Sequence, residues 1–365
     1  MRALVIRLQE SVVAWRASHT KRTCRCLGTS SPGFGDDMKV RTRTVSFPRN
    51  SHTGKLRCSL AHALRLTSLN LEDALSIIDA AENFRVLRRL PSPPESRDLL
   101  GDDRFVGVVV DVETTGLDHD IDEVIELGML KFEFDRNGRI GPDISIFKAF
   151  NEPSFAIPKS ITELTGISDD DVRGHRVLTN DIDEFVFGAS LVVAHNAAFD
   201  RPFLESISPT FISLPWACSA TEIDWRSEGL TGSRLEYVAM AFGTFYDAHR
   251  AVDDCNALGN VLMFDLPRSK ERVLATLLKA ARRVQARICA VGAPYDLRVP
   301  LKRAGYRWND GTNGFPRAWW KDVAPDLVEA ETEFLRAFGP ELISPTLFKM
   351  TARTRFRRAP PPLAR

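Results

Sequence analysis

The alternation of apolar and polar positions between residues 105 and 266 predicts strands and helices in succession. Phe105–Val110 is an uncharged apolar run interrupted only by Gly107, the pattern of a strand buried on both faces. Val124–Phe134 alternates as a second strand, and Arg136–Arg139 is typical of a turn into a third. The remaining predicted elements are the strands Ile140–Phe150 and Leu191–Ala194 and the helices Pro158–Thr165, Ala198–Ile207, Arg234–Phe242 and Arg250–Leu266. This order indicates a three-layer α/β fold with a mixed sheet, over a domain at 104–266.

A second pattern follows that domain and predicts a small α+β domain at 268–340. Ser269–Ala290 has helical spacing and many basic residues, and Val323–Phe338 has the spacing of a closing helix. Between them, Val299–Val323 is aromatic and rich in glycine. The beginning and end of the chain do not share this patterning.

Both ends of the chain are basic. Residues 1–70 contain 13 Lys and Arg against 3 acidic residues. We interpret 1–66 as a disordered basic arm or as an extension upstream of a start near Met38, and an organelle-targeting peptide remains an alternative. The segment 349–365 contains six basic residues, no acidic residue and a run of three prolines, which predicts a disordered basic tail.

A helix and a proline-rich linker are expected at 70–100. Leu71–Leu90 has helical spacing with acidic residues in its first turn, and Asn70 is a suitable N-cap. Pro91–Pro94 ends the helix and predicts a stiff connection.

Composition and charge narrow the class of protein. A hydrophobic fraction of 44% and a charged fraction of 27% are typical of a soluble globular chain. The sequence has no uncharged apolar run of about 18 residues, which argues against a membrane-spanning helix. Six scattered cysteines do not fit a disulfide scaffold, so a reducing, cytoplasmic compartment is expected. Residues 105–265 carry 11 basic against 28 acidic residues, so the central part of the chain is acidic and lies between basic ends. This distribution fits a protein that binds a polyanion through bound cations.

Asp111 and Glu113 are the first candidates for chemistry. They follow the strand Phe105–Val110 at positions i and i+2, so their side chains point to the same side. Two carboxylates at a strand terminus repel each other unless a divalent cation lies between them. An Asp-x-Glu pair alone is also common as a solvated strand end.

Helical phase nominates two further carboxylates that point inward. Asp200 and Asp254 each lie on an apolar stripe of a predicted helix, where an unpaired carboxylate is costly. The stripe partners are Phe203, Leu204 and Ile207 for Asp200, and Leu258 and Val261 for Asp254. Asp253 aligns instead with Asn256, Ala257 and Asn260 on the polar side. We therefore expect Asp254 to be the buried acid and Asp253 to be solvated.

His249 is the candidate general base. It lies five residues before Asp254, so we expect it on the loop that enters that helix. An imidazole pKa near working pH suits proton transfer, although a single histidine often has a purely structural role. The structural role is the preferred interpretation for His195.

Three ordered motifs carry a family resemblance. They are Asp111-x-Glu113-Thr-Thr-Gly-Leu117, His195-Asn196-Ala-Ala-Phe199-Asp200 and His249-x4-Asp254. In this order, over residues 105–264, they resemble the DEDDh branch of the DnaQ-like 3′–5′ exonucleases, and most of all bacterial proteins similar to the proofreading epsilon subunit of DNA polymerase III. The resemblance implies a ribonuclease H-like α/β/α domain.

The resemblance also implies a role for each motif residue. Four carboxylates would be the ligands of two Mg²⁺ or Mn²⁺ ions: Asp111, Glu113, Asp200 and Asp254. His249 would deprotonate the attacking water. Four residues would seat the terminal 3′ nucleotide: Thr114, Leu117, Asn196 and Phe199. Oxygen ligands suit such hard cations, and paired ions stabilise the attacking and leaving oxygens of a phosphoryl displacement.

The second domain contains basic and aromatic residues that are possible nucleic-acid contacts. They are Arg307, Trp308, Trp319 and Trp320. Aromatic rings interleaved with arginines stack on bases while the cations bind phosphates. The alternative is that these tryptophans form the core of a small domain.

The sequence as a whole predicts a metal-dependent 3′–5′ exonuclease that acts on single-stranded or frayed 3′ ends of DNA. An RNA-trimming nuclease and a non-catalytic nucleic-acid-binding module on a nuclease scaffold remain alternatives. A clamp-binding peptide would need a Gln followed by apolar residues. Only Gln9 and Gln285 are present, and Gln285 falls inside a predicted helix, so association with a polymerase or clamp stays open.

Overall fold

A computed structural model describes residues 70–357, within which the chain forms eleven strands and eleven α-helices. The predicted N-terminal extension at 1–66 and the end of the predicted tail, 358–365, lie outside the described residues. Residues from 75 onward belong to one compact unit.

The strands are β1 (Arg88–Arg89), β2 (Phe105–Thr114), β3 (Val124–Phe134), β4 (Ile140–Phe150), β5 (Ala189–Ala194), β6 (Trp216–Cys218), β7 (Thr244–Phe245), β8 (Gln285–Val291), β9 (Arg307–Asn309), β10 (Ala318–Val323) and β11 (Ser344–Met350). The helices are α1 (Leu71–Asp79), α2 (Lys159–Thr165), α3 (Asp169–Val172), α4 (Thr179–Val186), α5 (Ala197–Ile207), α6 (Thr210–Ser213), α7 (Leu235–Ala241), α8 (Ala251–Leu262), α9 (Val273–Arg282), α10 (Arg298–Arg303) and α11 (Val328–Arg336).

The central sheet has five strands in the order β4-β3-β2-β5-β6. The pairs β4-β3 and β3-β2 are antiparallel, whereas β2-β5 and β5-β6 are parallel. Side chains alternate along β2, so that Val109 packs toward α7, α8 and α9 while Val108 and Val110 pack toward α4, α5 and α6. Apolar cores on both faces of a mixed sheet confirm the predicted three-layer α/β fold.

Gly128 lets helix α8 begin directly against the sheet. A Cβ at this position of β3 would lie 2.5 Å from the carbonyl carbon and oxygen of Ala251, the first residue of α8. Since no side chain fits there, glycine is required for this close approach. The approach brings the first turn of α8 to the end of β2.

The C-terminal sheet has four antiparallel strands in the order β11-β8-β10-β9. The predicted helix Ser269–Ala290 is wrong in its second half: α9 ends at Arg282 and β8 begins at Gln285. Gln285 therefore pairs with Met350 in a strand and is not helical. The predicted closing helix is also shorter, because Val323 ends β10 and α11 begins only at Val328.

The segment before the nuclease domain is not a free linker. Helix α1 ends at Asp79 and does not continue to Leu90, although Asp73 N–H does donate to Asn70 Oδ1 at 2.8 Å as the cap predicted. Strand β1 pairs in parallel with β7, and Leu90 is buried. The prediction of one long helix is wrong because pairing of β1 with β7 and burial of Leu90 determine the structure of this segment. The spacing of apolar residues along the sequence carries no information about such tertiary contacts.

The proline-rich segment covers the polar side of α8. Asn256 Nδ2 donates to Ser92 Oγ at 2.8 Å, and Asn260 Nδ2 donates to the Pro91 carbonyl at 3.0 Å. Both asparagines are buried. The expectation that this side of the helix is solvated is therefore wrong: its polar groups are satisfied by protein partners rather than by water.

The predicted disordered tail is ordered as far as Arg357. Its first residues complete β11, and the turn that follows is held against the nuclease domain. Arg201 Nη1 donates to the Arg355 carbonyl at 2.6 Å, and Trp216 N–H donates to the Ala352 carbonyl at 2.7 Å. Arg355 in turn donates to the Ala281 carbonyl at 2.8 Å. Composition predicted disorder here because these partners lie far away in sequence.

Two further predictions concern the described residues alone. None of their helices is long and apolar enough to cross a membrane. Cys218, Cys255 and Cys289 are buried and unpaired. The prediction that these cysteines form no disulfide scaffold is confirmed for this part of the chain.

Candidate active site

Three carboxylates converge at the end of β2. Ligand oxygens of Asp111, Glu113 and Asp254 all lie within 4.8 Å of one another. The first two project from β2 at i and i+2, and the third comes from the first turn of α8. The convergence expected from strand alternation and helical phase is confirmed.

Asp200 is a fourth carboxylate, on the first turn of α5, and its side chain is 2% exposed. The backbone N–H of Val112 donates a hydrogen bond to it, and Val112 lies between Asp111 and Glu113. Asp200 lies outside the group of three, but it is close enough to raise the pKa of Asp111 by charge repulsion. The structure thus brings all four predicted acids to one corner of the sheet.

The electrostatics of this corner favour a bound cation. Burial, and then repulsion from neighbouring carboxylates, raises the pKa of Asp111 well above its usual range and that of Glu113 to about 8. Burial is also the main cause that raises the pKa of Asp200 to about 7 and that of Asp254 above its usual value. Carboxylates in this state either keep their protons or exchange them for a hard cation, and oxygen donors suit Mg²⁺ and Mn²⁺.

Asp254 is oriented by three donors. The Tyr246 hydroxyl donates to Oδ1 at 2.7 Å, and the backbone N–H groups of His249 and Arg250 donate to Oδ2 at 2.9 and 3.3 Å. Asp253 is not among the clustered ligands. Asp254, and not Asp253, thus joins the cluster, although both residues are half-buried and the expected contrast between a buried and a solvated acid is not found.

His249 lies on the loop before α8, as predicted, in a left-handed backbone conformation with φ +70°. Its side chain is 48% exposed, and Nε2 lies 3.9 Å from Oε1 of Glu236 on α7. A left-handed conformation is uncommon for a non-glycine residue and marks a locally constrained backbone. The backbone of His249 adjoins the carboxylate cluster, because its N–H donates to Asp254.

Glu126 and Arg250 form an ion pair that was not predicted from the sequence, with a fully buried carboxylate and a partly exposed guanidinium. Arg250 donates to the fully buried Glu126 from Nε at 3.1 Å and from Nη2 at 3.0 Å, and the Ala251 N–H adds a third bond at 3.1 Å. Lys148 Nζ lies 3.1 Å away on the neighbouring strand. Although burial opposes it, hydrogen bonding from Arg250 lowers the pKa of Glu126. The one sequence feature that indicates this ion pair is the position of Glu126, an acidic residue within the otherwise apolar run Val124–Leu127.

The four predicted nucleotide-binding residues lie at the carboxyl ends of two neighbouring strands or just after them. Thr114 ends β2 and Leu117 follows it, while Asn196 and Phe199 begin α5 just after β5. Because β2 and β5 are parallel neighbours, their carboxyl ends meet at the same edge. Thr114 is buried and donates to the Gly116 carbonyl at 2.5 Å, whereas the Leu117 side chain is 85% exposed. Phe199 is half-buried against Phe203.

His195 has the structural role that the sequence favoured. Its Nδ1 lies 2.9 Å from Ser219 Oγ, and Nε2 lies 2.5 Å from the Ser233 carbonyl. Burial lowers its pKa. A neutral ring with both nitrogens bonded to protein has no free nitrogen for chemistry.

The four predicted contacts in the C-terminal domain fall on opposite faces of its sheet. Trp319 pairs with Trp308 and Trp320 pairs with Arg307 in the β10-β9 ladder. Paired residues share a face and successive residues alternate. Trp319 packs into the core beneath α10 and α11, whereas Trp320 packs on the other face beside Phe315. The alternative of a core role therefore applies to Trp319, and Trp308 accompanies it, 49% exposed at the edge.

Comparisons with known proteins agree with this site. Residues 108–262 match the RNase_T (Exonuclease) family model. The chain is 33% identical over 184 residues to a PolC-type DNA polymerase III of Clostridium perfringens and 41% identical over 178 residues to that of Halalkalibacterium halodurans. These alignments cover 47% and 45% of this chain and 12% of each relative.

Two solved structures are similar to part of the chain. A complex of exonuclease X with 5′-overhanging duplex DNA is 19% identical, covers 48% of this chain and 90% of its own, and has a TM-score of 0.34. A zinc-bound E. coli ExoI–ssDNA complex is 12% identical, covers 65% and 72%, and has a TM-score of 0.43. The family match and the sequence relatives, together with the observed sheet and acidic cluster, carry the assignment. Residues 108–262 belong to the DnaQ-like exonuclease family, with the ribonuclease H-like fold expected from the sequence.

Proposed function

We propose that this protein is a metal-dependent 3′–5′ exonuclease that shortens single-stranded or frayed 3′ ends of DNA and releases nucleoside 5′-monophosphates. The observation that carries the proposal is the convergence of Asp111, Glu113 and Asp254 within 4.8 Å, with Asp200 beside them. DNA is the preferred substrate because the relatives that match this region are DNA polymerases.

The four carboxylates are the proposed ligands of two Mg²⁺ or Mn²⁺ ions. Their raised pKa values reflect burial and mutual repulsion, which outweigh the opposing positive charge of Arg250 near Glu113. A cation-binding role fits this donor set better than a purely structural one. When bound, such ions stabilise the charge that develops on the attacking and leaving oxygens of a phosphodiester.

His249 is the proposed general base. Its exposed Nε2 accepts a proton from the attacking water, and the Glu236 carboxylate 3.9 Å away stabilises the imidazolium that results. The Tyr246 hydroxyl and the His249 backbone N–H hold Asp254 in one orientation. The same peptide segment therefore positions both the base and a ligand.

The terminal nucleotide is proposed to lie between the two loops at the ends of β2 and β5. Leu117 offers an exposed apolar side chain, and Phe199 offers a half-buried ring in the first turn of α5. Together they suit the two faces of a terminal base, while Asn196 offers an amide at the same edge. This arrangement would admit a free strand end rather than an internal position.

A set of end-blocked strands tests the proposal. Linear single-stranded DNA with nuclease-resistant phosphorothioate linkages at its 5′ end should be digested with Mg²⁺, and a strand blocked in the same way at its 3′ end should resist. Covalently closed circular DNA should also resist. Digestion of the 3′-blocked strand, or cutting of the circle, would reject 3′–5′ exonuclease action. RNA strands blocked in the same two ways decide between DNA and RNA.

A further inference from the structure

Two clefts join into one groove between the nuclease domain and the C-terminal domain. The first, of about 590 Å³, begins at Leu117 and is lined by Asp118, His119, Asp120, Thr312 and Asn313. The second, of about 660 Å³, includes His119 and Asn313 and continues to Trp320. Because the clefts share those two residues, they adjoin and extend from the proposed nucleotide site to the C-terminal sheet.

The far wall of the groove is a stack of cations and aromatic rings. Arg287 lies 3.9 Å from the centre of the Trp320 ring and 4.8 Å from that of Phe315. Asp322 holds Arg287 through two hydrogen bonds of 2.8 Å. Arg307 lies 5.7 Å from the centre of the same ring, near the outer limit of a cation–π contact. Trp320 therefore has one close cation partner, Arg287, and one looser, exposed partner, Arg307.

Arg307 differs from the other cations along this wall. Among the described residues that line the larger cleft, several cations already have carboxylate partners: Arg287 with Asp322, Lys321 with Glu331, Arg355 with Glu222, and more distantly Arg357 with Glu205. Arg307 is exposed and makes no ion pair within the part of the chain that the structure describes. Its guanidinium remains available for an added phosphate.

The groove is fixed in place by the turn after β11. Arg201, fully buried in α5, donates to the carbonyls of Arg353 and Arg355 at 2.9 and 2.6 Å. Helix α5 also supplies Ala198 and Pro202 to the near wall of the groove. Helix α5 therefore both forms the near wall of the groove and anchors the C-terminal domain. This shared helix holds the two sides of the groove in a fixed relative position.

We propose that this groove binds the single-stranded segment behind the 3′ end, with a base stacked on Trp320 and its phosphate paired to Arg307. The proposal rests on the exonuclease function proposed above and names its substrate class: a strand with a single-stranded tail several nucleotides long. Base stacking on an aromatic ring with a cation nearby is the usual chemistry of sequence-independent single-strand binding. Trp308 and Trp319 belong to the opposite face and take no part.

Two substrates separate groove binding from catalysis. The p-nitrophenyl ester of thymidine 5′-monophosphate occupies only the terminal-nucleotide site, whereas a single strand of about 12 nucleotides extends into the groove. Arg307→Ala and Trp320→Leu should raise KM for the strand roughly 5- to 100-fold relative to KM for the ester. Arg307→Ala should also lower the slope of log KM against log salt by about 0.7, the value for one lost phosphate contact on a single strand.

A matched pair outside the groove supplies the control. Arg298 lies 4.1 Å from the exposed Tyr295 ring, also in the C-terminal domain, and neither residue lines the groove. Arg298→Ala and Tyr295→Ala should leave both KM values unchanged. Because Trp320 also contacts the domain core, Arg307→Ala, at an exposed position, carries the test if Trp320→Leu unfolds.

The outcomes separate the two proposals. If the wild type hydrolyses both substrates and Arg307→Ala leaves KM for the strand and its salt slope unchanged, the groove proposal is wrong and the exonuclease proposal stands. If the folded wild type with Mg²⁺ hydrolyses neither the ester nor the strand, the exonuclease proposal fails, and the groove proposal fails with it. A parallel loss for Arg298→Ala would also overturn the groove proposal, because it would show a diffuse charge effect.

Discussion

Arg250 is joined to Glu126 by two hydrogen bonds, at 3.1 and 3.0 Å, between the residue that precedes α8 and the third residue of β3. Arg250 directly follows His249 and stands one helical turn before Asp254. Because Glu126 also accepts the Ala251 N–H, the pair holds the first turn of α8 against the sheet. Arg250 also donates its backbone N–H to Asp254, so the position of the proposed base and of one proposed ligand depends on this ion pair.

Removal of this pair should destabilise the protein. Arg250→Ala leaves the carboxylate of Glu126 buried with only Lys148 and a backbone donor, and we expect a loss of about 2 to 4 kcal/mol in the free energy of unfolding. Arg89→Ala, which removes an exposed pair with Asp247, should cost less than about 1 kcal/mol. Urea denaturation of the two variants measures the difference, and equal losses would contradict a special role for Glu126.

Asp254 and Asp253 should differ sharply in their effect on turnover. Asp254→Ala removes a member of the carboxylate cluster and should lower kcat at least about 1000-fold, or about 4 kcal/mol. Asp253→Ala, outside the cluster, should keep the rate within about threefold of wild type. Single-turnover digestion of labelled DNA measures both. Equal losses, or the reverse order, would mean that Asp254 is not the functional acid of this helix.

His249→Ala tests the proposed general base. We expect a rate loss of roughly 100- to 10,000-fold, with metal affinity and strand binding little changed, because neither depends on the imidazole. Single-turnover digestion of labelled DNA measures the rate, and titrations with Mg²⁺ and with the strand measure the two affinities. A variant that cleaves as fast as wild type would show that another group takes the proton.

The metal-free protein should lose stability as pH rises. The folded-state pKa values of Glu113, about 8, and Asp200, about 7, lie above the ordinary values of 4.5 and 3.8. Between about pH 4 and 8 the folded state therefore binds more protons than the unfolded state, so the free energy of unfolding falls with pH in that window. Melting curves in EDTA should show a lower Tm near pH 8 than near pH 6.

Two additions sharpen this stability test. Mg²⁺ should raise Tm, and more so near pH 8, because it replaces protons on the same oxygens. Glu113→Gln should weaken both the pH dependence and the response to Mg²⁺, since it removes one of the raised carboxyl groups. A Tm in EDTA that is flat or rises with pH, together with no response to Mg²⁺, would contradict the account of the cluster.

Four of the five strands of the central sheet and the four acids were predictable because they follow from local rules, whereas the short strand β6 was not predicted. Strand alternation brings Asp111 and Glu113 together, and helical phase separates Asp254 from Asp253. The Glu126–Arg250 pair was not predictable, since it joins residues 124 positions apart. The sequence predicts β8 as part of a helix because Gln, Ala and Arg, the residues at its start, are compatible with either a helix or a strand. Hydrogen bonding to β10 and β11 makes the segment a strand.

The most direct test of the central claim is the digestion of 5′-labelled single-stranded DNA in Mg²⁺ and in EDTA. In Mg²⁺ we predict a ladder of labelled strands that shortens one nucleotide at a time from the 3′ end, with 5′-monophosphates as the other product. In EDTA we predict no cleavage. Immediate release of the labelled nucleotide, undiminished cleavage in EDTA, or an intact strand under both conditions would contradict a metal-dependent 3′–5′ exonuclease.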